Sequence, residues 1–346
     1  MKRPKISLIV PVYNVSKTIV KCLSSIENQT FDDFEVIIVD DGSTDNSGDL
    51  CRRFVEKDKR FFLIEKGNEG VSSARNVAIK KAFGHYIGFV DSDDYIDKHF
   101  CEILFKIITE NNVDVLNFGY TRIDGERKVV SYSSFPKNRI IREPEILDFM
   151  ETSMLNNDLW YPWRNFVKRE FIEKNFIRFD ENQRIGDDSL FNLKCFVFSK
   201  SFYSIKEPLY FYVNNPISLT QAKFKPGLLA QYEMQFRARL AFHKEHEVLK
   251  SEGFYRGIST NYIEHSLFMM LENLKNSETG MGRVEINEIR ESEIFDFSFN
   301  HYTSSGRVTM KMRIIILLFK LRLFRMLTLV YNFSLLPEKT LFLKKD

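Results

Sequence analysis

Short apolar runs alternate with longer amphipathic segments along the first 120 residues. Between the runs, apolar residues recur at helical spacing, as in Ile19, Leu23 and Ile26, which predicts helices with one buried face. Strands separated by helices of this kind imply a mostly parallel sheet covered by helices on both faces. Five runs have the length and composition of buried strands, at residues 6–10, 34–39, 61–64, 86–90 and 113–118.

The pattern changes after about residue 120. Residues 121–142 are polar and turn-like, and we expect them to form loops. From about residue 225 the chain shows apolar positions at helical spacing, as in residues 228–246 and 262–274. The pattern therefore predicts an α/β domain over residues 1–220, followed by a helical C-terminal region over residues 221–346.

Residues 307–333 interleave basic residues with a strongly apolar run. On a helical wheel four of the basic residues share one face and the other two lie nearly opposite. Such a segment can lie in the interface of an anionic membrane, where each basic residue contributes about 1 kcal/mol. A packed helix pair or a contact between two copies of the chain are the alternatives. The six basic residues are Arg307, Lys311, Arg322 and Arg325 on one face, and Arg313 and Lys320 on the other.

The composition limits the classes of function. Of the 346 residues 44% are hydrophobic, enough to bury a substantial core, and the formal net charge is only +3. That balance argues against nucleic acid as a partner, because proteins that bind phosphate backbones usually carry a clear basic excess. The four cysteines form no C-x-x-C pair, so we expect reduced, buried thiols. Since no run of about 20 uncharged apolar residues occurs, no membrane-spanning helix is predicted.

Candidate chemistry lies where three of the predicted strands end. In parallel α/β sheets ligands bind outside the carboxyl ends of the strands, and these ends carry Pro11-Val12-Tyr13, Asp40-Asp41 and Asp91-Ser92-Asp93. Two of the three are acidic, which predicts a shared cation site. No glycine precedes Gly42, so neither a P-loop nor a G-x-G-x-x-G turn can follow the first strand, and bound phosphates would need a metal ion.

The triplet Asp91-Ser92-Asp93 supplies hard oxygen ligands of the kind that Mg²⁺ and Mn²⁺ prefer. An isolated Asp-x-Asp triplet is also common in solvated turns that cap the next helix. Its position favours the metal, since it directly ends an apolar run and follows another acidic strand end by one strand-plus-helix unit.

Four motifs stand out in this part of the chain. They are residues 10–14 (VPVYN), 39–45 (VDDGSTD), 72–76 (SSARN) and 88–94 (GFVDSDD). These motifs closely resemble those of the family 2 glycosyltransferases, and specifically those of bacterial capsule or exopolysaccharide synthesis. The resemblance implies an inverting enzyme of the GT-A fold that moves a sugar from a UDP-sugar, with Mn²⁺ or Mg²⁺, to a glycan or lipid-linked acceptor at the cytoplasmic face of the inner membrane.

The resemblance also implies roles for residues at the donor. Asp40 would accept a hydrogen bond from the N3–H of uracil, Asp93 would bind the metal directly, and Asp91 would contact the ribose or the metal, directly or through water. Arg75 would lie near the nucleotide, although it can equally be a charge on a helix surface. The residues implied at the donor nucleotide are Pro11, Tyr13, Asp40, Arg75, Asp91 and Ser92.

On the acceptor side the resemblance is looser. Asp188 matches the family's general base, which deprotonates the acceptor hydroxyl, and Asp187 stands beside it as a supporting residue where the family commonly has glutamate. The alternative is that either aspartate only caps the following helix. Trp163 matches a tryptophan near the acceptor, but a core role fits it almost as well. The family's late basic residue for the diphosphate is missing after residues 209–212, which leaves that contact unassigned.

Two other functions remain open at this point. A nucleotidyltransferase acting on sugar phosphates is disfavoured by the missing glycine-rich loop. A non-catalytic, nucleotide-sugar-binding subunit of an assembly complex would fit if Asp188 were only a helix cap. The sequence does not indicate which sugar is transferred.

Overall fold

The computed structural model describes residues 3–149, 161–183, 185–214, 224–246, 251–278, 280–306 and 308–332. The chain divides into two compact units, Met1–Ser218 and Leu219–Asp346, here called unit 1 and unit 2. The boundary that the sequence predicts at residue 220 falls among residues 215–223, outside the described residues.

In the described part of unit 1, ten strands form one mixed sheet. Their order is β3-β2-β1-β4-β9-β6-β10-β5, with β7 paired to β6 and β8 to β10. The strands are β1 (Ile6–Val12), β2 (Phe34–Asp40), β3 (Phe61–Glu65), β4 (Tyr86–Phe89), β5 (Tyr95–Ile96), β6 (Val115–Asp124), β7 (Arg127–Ser131), β8 (Ile140–Arg142), β9 (Asn165–Lys168) and β10 (Ser201–Val213).

The parallel half of the sheet contains β1 to β4, as the apolar runs predict. β1 lies between β2 and β4 and pairs with both in parallel, and β2 pairs with β3 in the same way. All seven residues of β1 and all seven of β2 are buried, which is the expected state of parallel strands covered on both faces. The predicted GT-A-like, mostly parallel architecture is confirmed for this half.

The other half is mainly antiparallel, and here the expectation of loops over residues 121–142 is wrong. β6 continues to Asp124, turns through Gly125 at φ 61°, and returns as β7; β8 follows at the edge of the sheet. These strands carry charged residues on partly exposed faces, so they lack the continuous apolar run that marks a central strand. Their polar composition is the reason why they resemble a loop in the sequence.

Helices cover the sheet of unit 1. The first and the fourth bury an apolar face, as with Ile19, Leu23 and Ile26 of the first helix, whereas the third also buries polar residues, among them Arg75 and Asn76. The described helices are α1 (Ile19–Glu27), α2 (Ser47–Lys57), α3 (Val71–Lys81), α4 (Phe100–Asn111), α5 (Arg169–Lys174) and α6 (Asp187–Phe198), with a 3₁₀ turn at Pro162–Arg164. Residues 145–149 are also helical.

Unit 2 is helical in its described residues, which confirms the predicted helical C-terminal region. Tyr262 is fully buried in its core, where it meets Phe236 edge to face with ring centroids 5.5 Å apart. The helices are α7 (Leu228–His246), α8 (Ser251–Asn261), α9 (Leu267–Lys275), α10 (Arg283–Glu291), α11 (Glu293–His301), α12 (Met310–Lys320) and α13 (Phe324–Asn332), with a π-helical turn at Tyr262–Ser266.

The basic and apolar segment at residues 307–333 is two helices rather than one. Thr309 caps α12 by accepting a hydrogen bond from the backbone N–H of Met312, and Arg322 at φ 59° turns the chain before α13. A single helical wheel through this segment is therefore wrong beyond Lys320. Arg307 and Phe333, the ends of the predicted segment, lie outside the described residues. Across all described ranges, no helix is both long enough and apolar enough to cross a bilayer.

Candidate active site

Three strand ends lie side by side at the carboxyl edge of the parallel sheet. Val12 is in register with Asp40, and Ile9 with Phe89, so the residues that follow β1, β2 and β4 emerge next to one another. In open α/β sheets this edge is where ligands bind. The topology thus brings together the three motifs that the sequence singles out.

The end of β1 offers an exposed aromatic ring. Pro11 is buried, whereas Tyr13 is 42% exposed. Asn14, at φ 50°, accepts a hydrogen bond through its Oδ1 from the Thr44 backbone N–H at 2.8 Å, and this ties the end of β1 to the loop after β2. The ring of Tyr13 is therefore accessible beside Asp40, as a nucleobase slot requires, although its role stays a prediction.

The two aspartates at the end of β2 have different surroundings. Asp41 is buried and accepts hydrogen bonds from the Lys66 ammonium at 2.7 Å and from the backbone N–H of Gly70 at 2.7 Å, so it organises the loop after β3. Asp40 accepts a hydrogen bond from the Ser43 backbone N–H at 2.9 Å through Oδ1, and its Oδ2 lies above Gly48, where an added Cβ would be 2.8 Å away. Glycine at this position leaves the second oxygen of Asp40 room.

The turn after β4 presents two of its three aspartates. Asp91 and Asp93 are half-buried, whereas Asp94 is 1% exposed. Asp94 accepts hydrogen bonds from the Tyr210 hydroxyl at 2.8 Å and the Val213 backbone N–H at 2.7 Å, while the Asp91 backbone N–H donates to the Tyr210 oxygen at 3.0 Å. Burial, followed by the charges of Asp91 and Asp93, raises the pKa of Asp94 well above its usual range. Asp94 is thus a structural residue that fixes the turn on β10.

These surroundings decide how a metal could bind. Within the described ranges no three His, Cys, Asp or Glu side chains gather closely enough to hold an ion. Asp41 is engaged by Lys66 and its own loop, and the expectation that both acidic strand ends share one cation site stays a prediction. The half-buried Asp91 and Asp93 fit a smaller arrangement of one or two carboxylates, whose remaining positions would be filled by diphosphate oxygens and water.

Arg75, on α3, links this turn to the start of α6. It is 4% exposed, so the alternative of a charge on the helix surface is wrong. Its Nη2 donates to Asp91 Oδ1 at 3.0 Å and its Nη1 donates to Asp188 Oδ1 at 2.6 Å. Burial alone would lower the pKa of Arg75, but Asp188, Asp91 and Asp187 outweigh it and keep the guanidinium charged.

The two aspartates at the start of α6 face the crevice rather than the helix terminus. The N-cap residue is Gly186 at φ 82°, and no side chain caps this end of the helix. Asp187 is buried and accepts a hydrogen bond from the Ser72 hydroxyl at 2.5 Å, whereas the Asp188 side chain keeps 26% exposure. Burial raises the pKa of Asp188 well above its usual range, with Arg75 opposing that shift and Asp187 adding to it. Of the two, Asp188 is the accessible carboxylate.

Trp163 is packed into an aromatic cluster. It is 2% exposed and stacks on Tyr210 with ring centroids 4.2 Å apart. Tyr161 and Tyr212, both half-buried, pack against it at 5.0 and 5.8 Å. Tyr120, also half-buried, contacts Trp163 with ring centroids 5.0 Å apart, and an acceptor role for Trp163 stays a prediction. Ser92 is likewise buried, and its predicted nucleotide contact stays untested.

Comparison with known proteins explains this arrangement. The model of the family described as glycosyl transferase family 2 matches residues 7–179. The glycosyltransferase EpsJ of Bacillus subtilis strain 168 is 34% identical over 270 residues, which cover 78% of this chain and 78% of the relative. The chain belongs to glycosyl transferase family 2. It is accordingly a glycosyltransferase, as the four sequence motifs predict.

Other family relatives extend this picture. Poly(ribitol-phosphate) beta-N-acetylglucosaminyltransferase TarP of Staphylococcus aureus strain N315 is 30% identical over 216 residues, covering 60% of this chain and 62% of TarP. The crystal structure of S. aureus TarS 1–349 with UDP-GlcNAc is similar with a TM-score of 0.61 at 21% identity, covering 95% of this chain and 90% of that one. At that identity the likeness shows the fold, and it confirms the GT-A-like architecture.

Two residues of this glycosyltransferase site have roles that the sequence did not reveal. Ser72 belongs to a recognised motif, but its contact with Asp187 joins residues 115 positions apart. Tyr210 holds both Asp91 and Asp94, yet in the sequence it is one aromatic residue of an apolar run. A tyrosine in a buried strand usually needs a hydrogen-bond partner for its hydroxyl group, and this rule could have pointed to Tyr210.

Proposed function

We propose that this family 2 enzyme is an inverting, metal-dependent glycosyltransferase that moves a sugar from a UDP-sugar to a glycan acceptor. The observation that carries the proposal is the position of Arg75, whose two terminal nitrogens contact Asp91 and Asp188. One guanidinium thus brings the proposed donor turn next to the proposed base. A single displacement needs this proximity, because leaving group and nucleophile meet at one anomeric carbon.

The donor side of the proposal rests on the ends of β1, β2 and β4. Tyr13 would stack on the base, and Asp40 would accept the N3–H of uracil. Pro11, Ser92 and Asp91 would complete the nucleotide site. Support for a UDP-sugar comes from the fold neighbour TarS, whose structure holds UDP-GlcNAc, and from the relative TarP, named an N-acetylglucosaminyltransferase.

Asp93, with Asp91 directly or through water, would hold Mn²⁺ or Mg²⁺ at the diphosphate. When bound, such an ion supplies positive charge that stabilises the diphosphate as it leaves. Asp94 cannot serve as a ligand while it holds Tyr210 and the Val213 backbone. In this proposal Asp91 and Asp93 bind the metal, and Asp94 supports the turn that carries them.

Asp188 would act as the general base. The acceptor oxygen attacks the anomeric carbon, the bond from that carbon to the diphosphate oxygen breaks, and the acceptor proton passes to the Asp188 carboxylate. A raised pKa suits this role, because a base is most effective when its pKa approaches the working pH. Asp187, fixed by Ser72, would hold the start of α6 in place.

We further propose that the acceptor is carried on a lipid during bacterial surface polysaccharide synthesis, and that unit 2 contacts the cytoplasmic face of the inner membrane. The support is an apolar stripe on α12 and its end, made of residues at spacings of four, three and four. The stripe consists of Met310, Ile314, Leu317 and Leu321, which are 74%, 42%, 54% and 56% exposed.

Charge around the apolar stripe favours an anionic surface as its partner. Arg313, Lys320 and Arg325 are exposed on α12 and α13, and the sequence has no acidic residue between Asp296 and Glu338. Sedimentation with phosphatidylglycerol vesicles at low salt tests the contact. The protein should pellet with the vesicles. If the protein stays in the supernatant and forms dimers, the stripe is instead a contact between two copies of the chain.

Calorimetry with UDP tests the donor site. We expect UDP to bind tightly with Mn²⁺ and much more weakly in EDTA, because the site has no glycine-rich loop to replace the ion. Asp93→Ala should remove the metal-dependent part of the affinity. Asp32→Ala is the matched control, since that carboxylate is 93% exposed and should leave binding unchanged. Equal UDP affinity of the native protein with and without metal would overturn metal dependence.

A further inference from the structure

We infer that Arg122, on β6, binds a phosphate group of the nucleoside diphosphate. The inference rests on the proposed function. Residues 213 and 214, at the end of β10, are not basic and cannot bind the diphosphate as cations, and we assign that contact to Arg122. It is carried by the strand register, by the aromatic cluster around Trp163 and by the surroundings of the guanidinium.

The register places Arg122 on the face of the sheet that carries the aromatic cluster. β10 and β6 are parallel, with Tyr210 opposite Tyr120 and Tyr212 opposite Arg122. Residues two apart on a strand, and paired neighbours on adjacent strands, point to the same face. Trp163 contacts Tyr120, Tyr210 and Tyr212. Arg122 therefore leaves the sheet on the side of Trp163.

The same face reaches the acidic turn after β4. The hydroxyl of Tyr210 bonds to Asp91 and Asp94, and the backbone N–H of Val213 donates to Asp94 at 2.7 Å. Tyr212 lies between these two contacts along β10. Burial and then Asp94 raise the pKa of Tyr212 to about 12, and Arg122 opposes that rise. The phenol thus lies close to both the aspartates and the guanidinium.

Among the described residues the guanidinium of Arg122 has no countercharge. The residue is half-buried, yet its side chain enters no ion pair and no hydrogen bond there. The next carboxylate on its side of β6, Asp124, accepts a hydrogen bond from the Asn214 side chain at 3.2 Å. The buried arginines of unit 1 are placed differently: Arg75 holds carboxylates and Arg164 donates to the Phe118 carbonyl at 3.1 Å.

A cation without a partner beside an acidic turn has a clear chemical use. A half-buried guanidinium loses part of its hydration without recovering hydrogen bonds, which is unfavourable until an anion arrives. Phosphate oxygens match its planar set of donors. Asp91 and Asp93 would hold the diphosphate through a metal ion, and Arg122 would supply a direct positive partner for its phosphate oxygens. The arrangement therefore favours phosphate as the ligand of Arg122.

Calorimetry with two probes in Mn²⁺ tests the inference. We compare UDP with uridine on the native protein, Arg122→Gln and Arg122→Lys. Arg122→Gln should weaken UDP binding by roughly 10- to 100-fold, the usual effect of losing a hydrogen bond to a charged group. Uridine, which has no phosphate, should bind all three proteins equally. Arg122→Lys keeps the charge and should lose less UDP affinity than the glutamine variant.

Arg127→Gln, an exposed arginine on the neighbouring strand β7, is the matched control and should bind UDP as the native protein does. Unchanged UDP affinity in Arg122→Gln would overturn the role of Arg122 while leaving the proposed function intact. Equal losses for UDP and uridine would show that Arg122 only supports the fold, and would also overturn it. Failure of the native protein to bind UDP would instead overturn the proposed function.

Discussion

Each of the two units contains a feature that folded proteins ordinarily avoid, and the two features differ. Unit 1 buries charge at its crevice: Arg75, Asp94 and Asp187 are all less than 5% exposed. Unit 2 exposes apolar surface: Leu317 on α12 and Leu321 directly after it are more than half exposed. Buried charges and grouped exposed apolar side chains are both unfavourable unless they serve a purpose.

The difference indicates where each unit acts. In unit 1 the buried charges pair with one another beside the more accessible carboxylates of Asp91 and Asp188. Such a cluster is typical of a catalytic site. In unit 2 the exposed apolar residues lie beside exposed basic ones. Such a surface suits the proposed contact with an anionic membrane. The proposed chemistry and the proposed membrane contact thus belong to different parts of the chain, and substitutions should affect them separately.

The largest effect should come from the proposed base. Asp188→Asn keeps the size of the side chain and most of its hydrogen bonds but removes the proton acceptor, so sugar transfer should fall by about 10²–10⁴-fold. UDP affinity should hardly change, because the donor ligands come from the strand ends. The measurement is transfer rate beside UDP calorimetry on the same preparation.

Asp187→Asn is the control for the base and should be the milder change. If Asp188 were only a helix cap, asparagine would replace it well and activity would survive. Near-native transfer by Asp188→Asn, or a larger loss from Asp187→Asn, would place the base elsewhere.

The next effect concerns the buried charges themselves. Arg75→Met leaves Asp91, Asp187 and Asp188 without their shared cation, and should lower the unfolding free energy of unit 1 by roughly 3 kcal/mol. Both tryptophans, Trp160 and Trp163, belong to unit 1, so urea unfolding followed by tryptophan fluorescence reports on it.

Arg52→Met removes an exposed arginine that also pairs with two carboxylates, Asp49 and Glu65. This control should lower the unfolding free energy far less than Arg75→Met does, because surface ion pairs contribute little. If both substitutions lowered the unfolding free energy equally, the ion pairs of Arg75 would contribute no more than those of an exposed arginine.

The smallest effect belongs to unit 2. Leu317→Glu places a charge in the middle of the apolar stripe and should weaken sedimentation with phosphatidylglycerol vesicles by about 10-fold or more. Val284→Glu, at a 78% exposed position on α10, is the control and should leave sedimentation unchanged. Equal losses of sedimentation in both variants would mean that vesicle binding depends on overall charge and not on the apolar stripe. Both variants should bind UDP as the native protein does.

The sequence predicted the parallel half of unit 1 because continuous β-branched runs such as residues 34–39 have few alternatives to a buried strand. It predicted β6 only as far as residue 118, and it did not predict β7 and β8, since partly exposed strands mix polar and apolar residues as loops do. In unit 2 it predicted helices but not the turn at Arg322, where a left-handed residue interrupts an otherwise helical pattern.

The candidate site was predictable only where it follows from a local motif. Asp91, Asp93 and Asp188 stand in recognisable segments, so their positions could be proposed from the chain alone. The contacts Arg75–Asp188 and Tyr210–Asp94 join residues 113 and 116 positions apart, and no local pattern encodes them. Burial shows that Arg75 is not a charge on the helix surface and that Trp163 is covered, both of which the sequence left open.

Release of UDP from a panel of UDP-sugars, with and without Mn²⁺, tests the central claim most directly. The account predicts that the purified protein releases UDP from at least one UDP-sugar, that EDTA stops the release, and that adding a glycan acceptor accelerates it. Sugar 1-phosphate with UTP should give no pyrophosphate. Metal-independent release, or turnover of sugar 1-phosphate and UTP in place of UDP-sugars, would contradict the account.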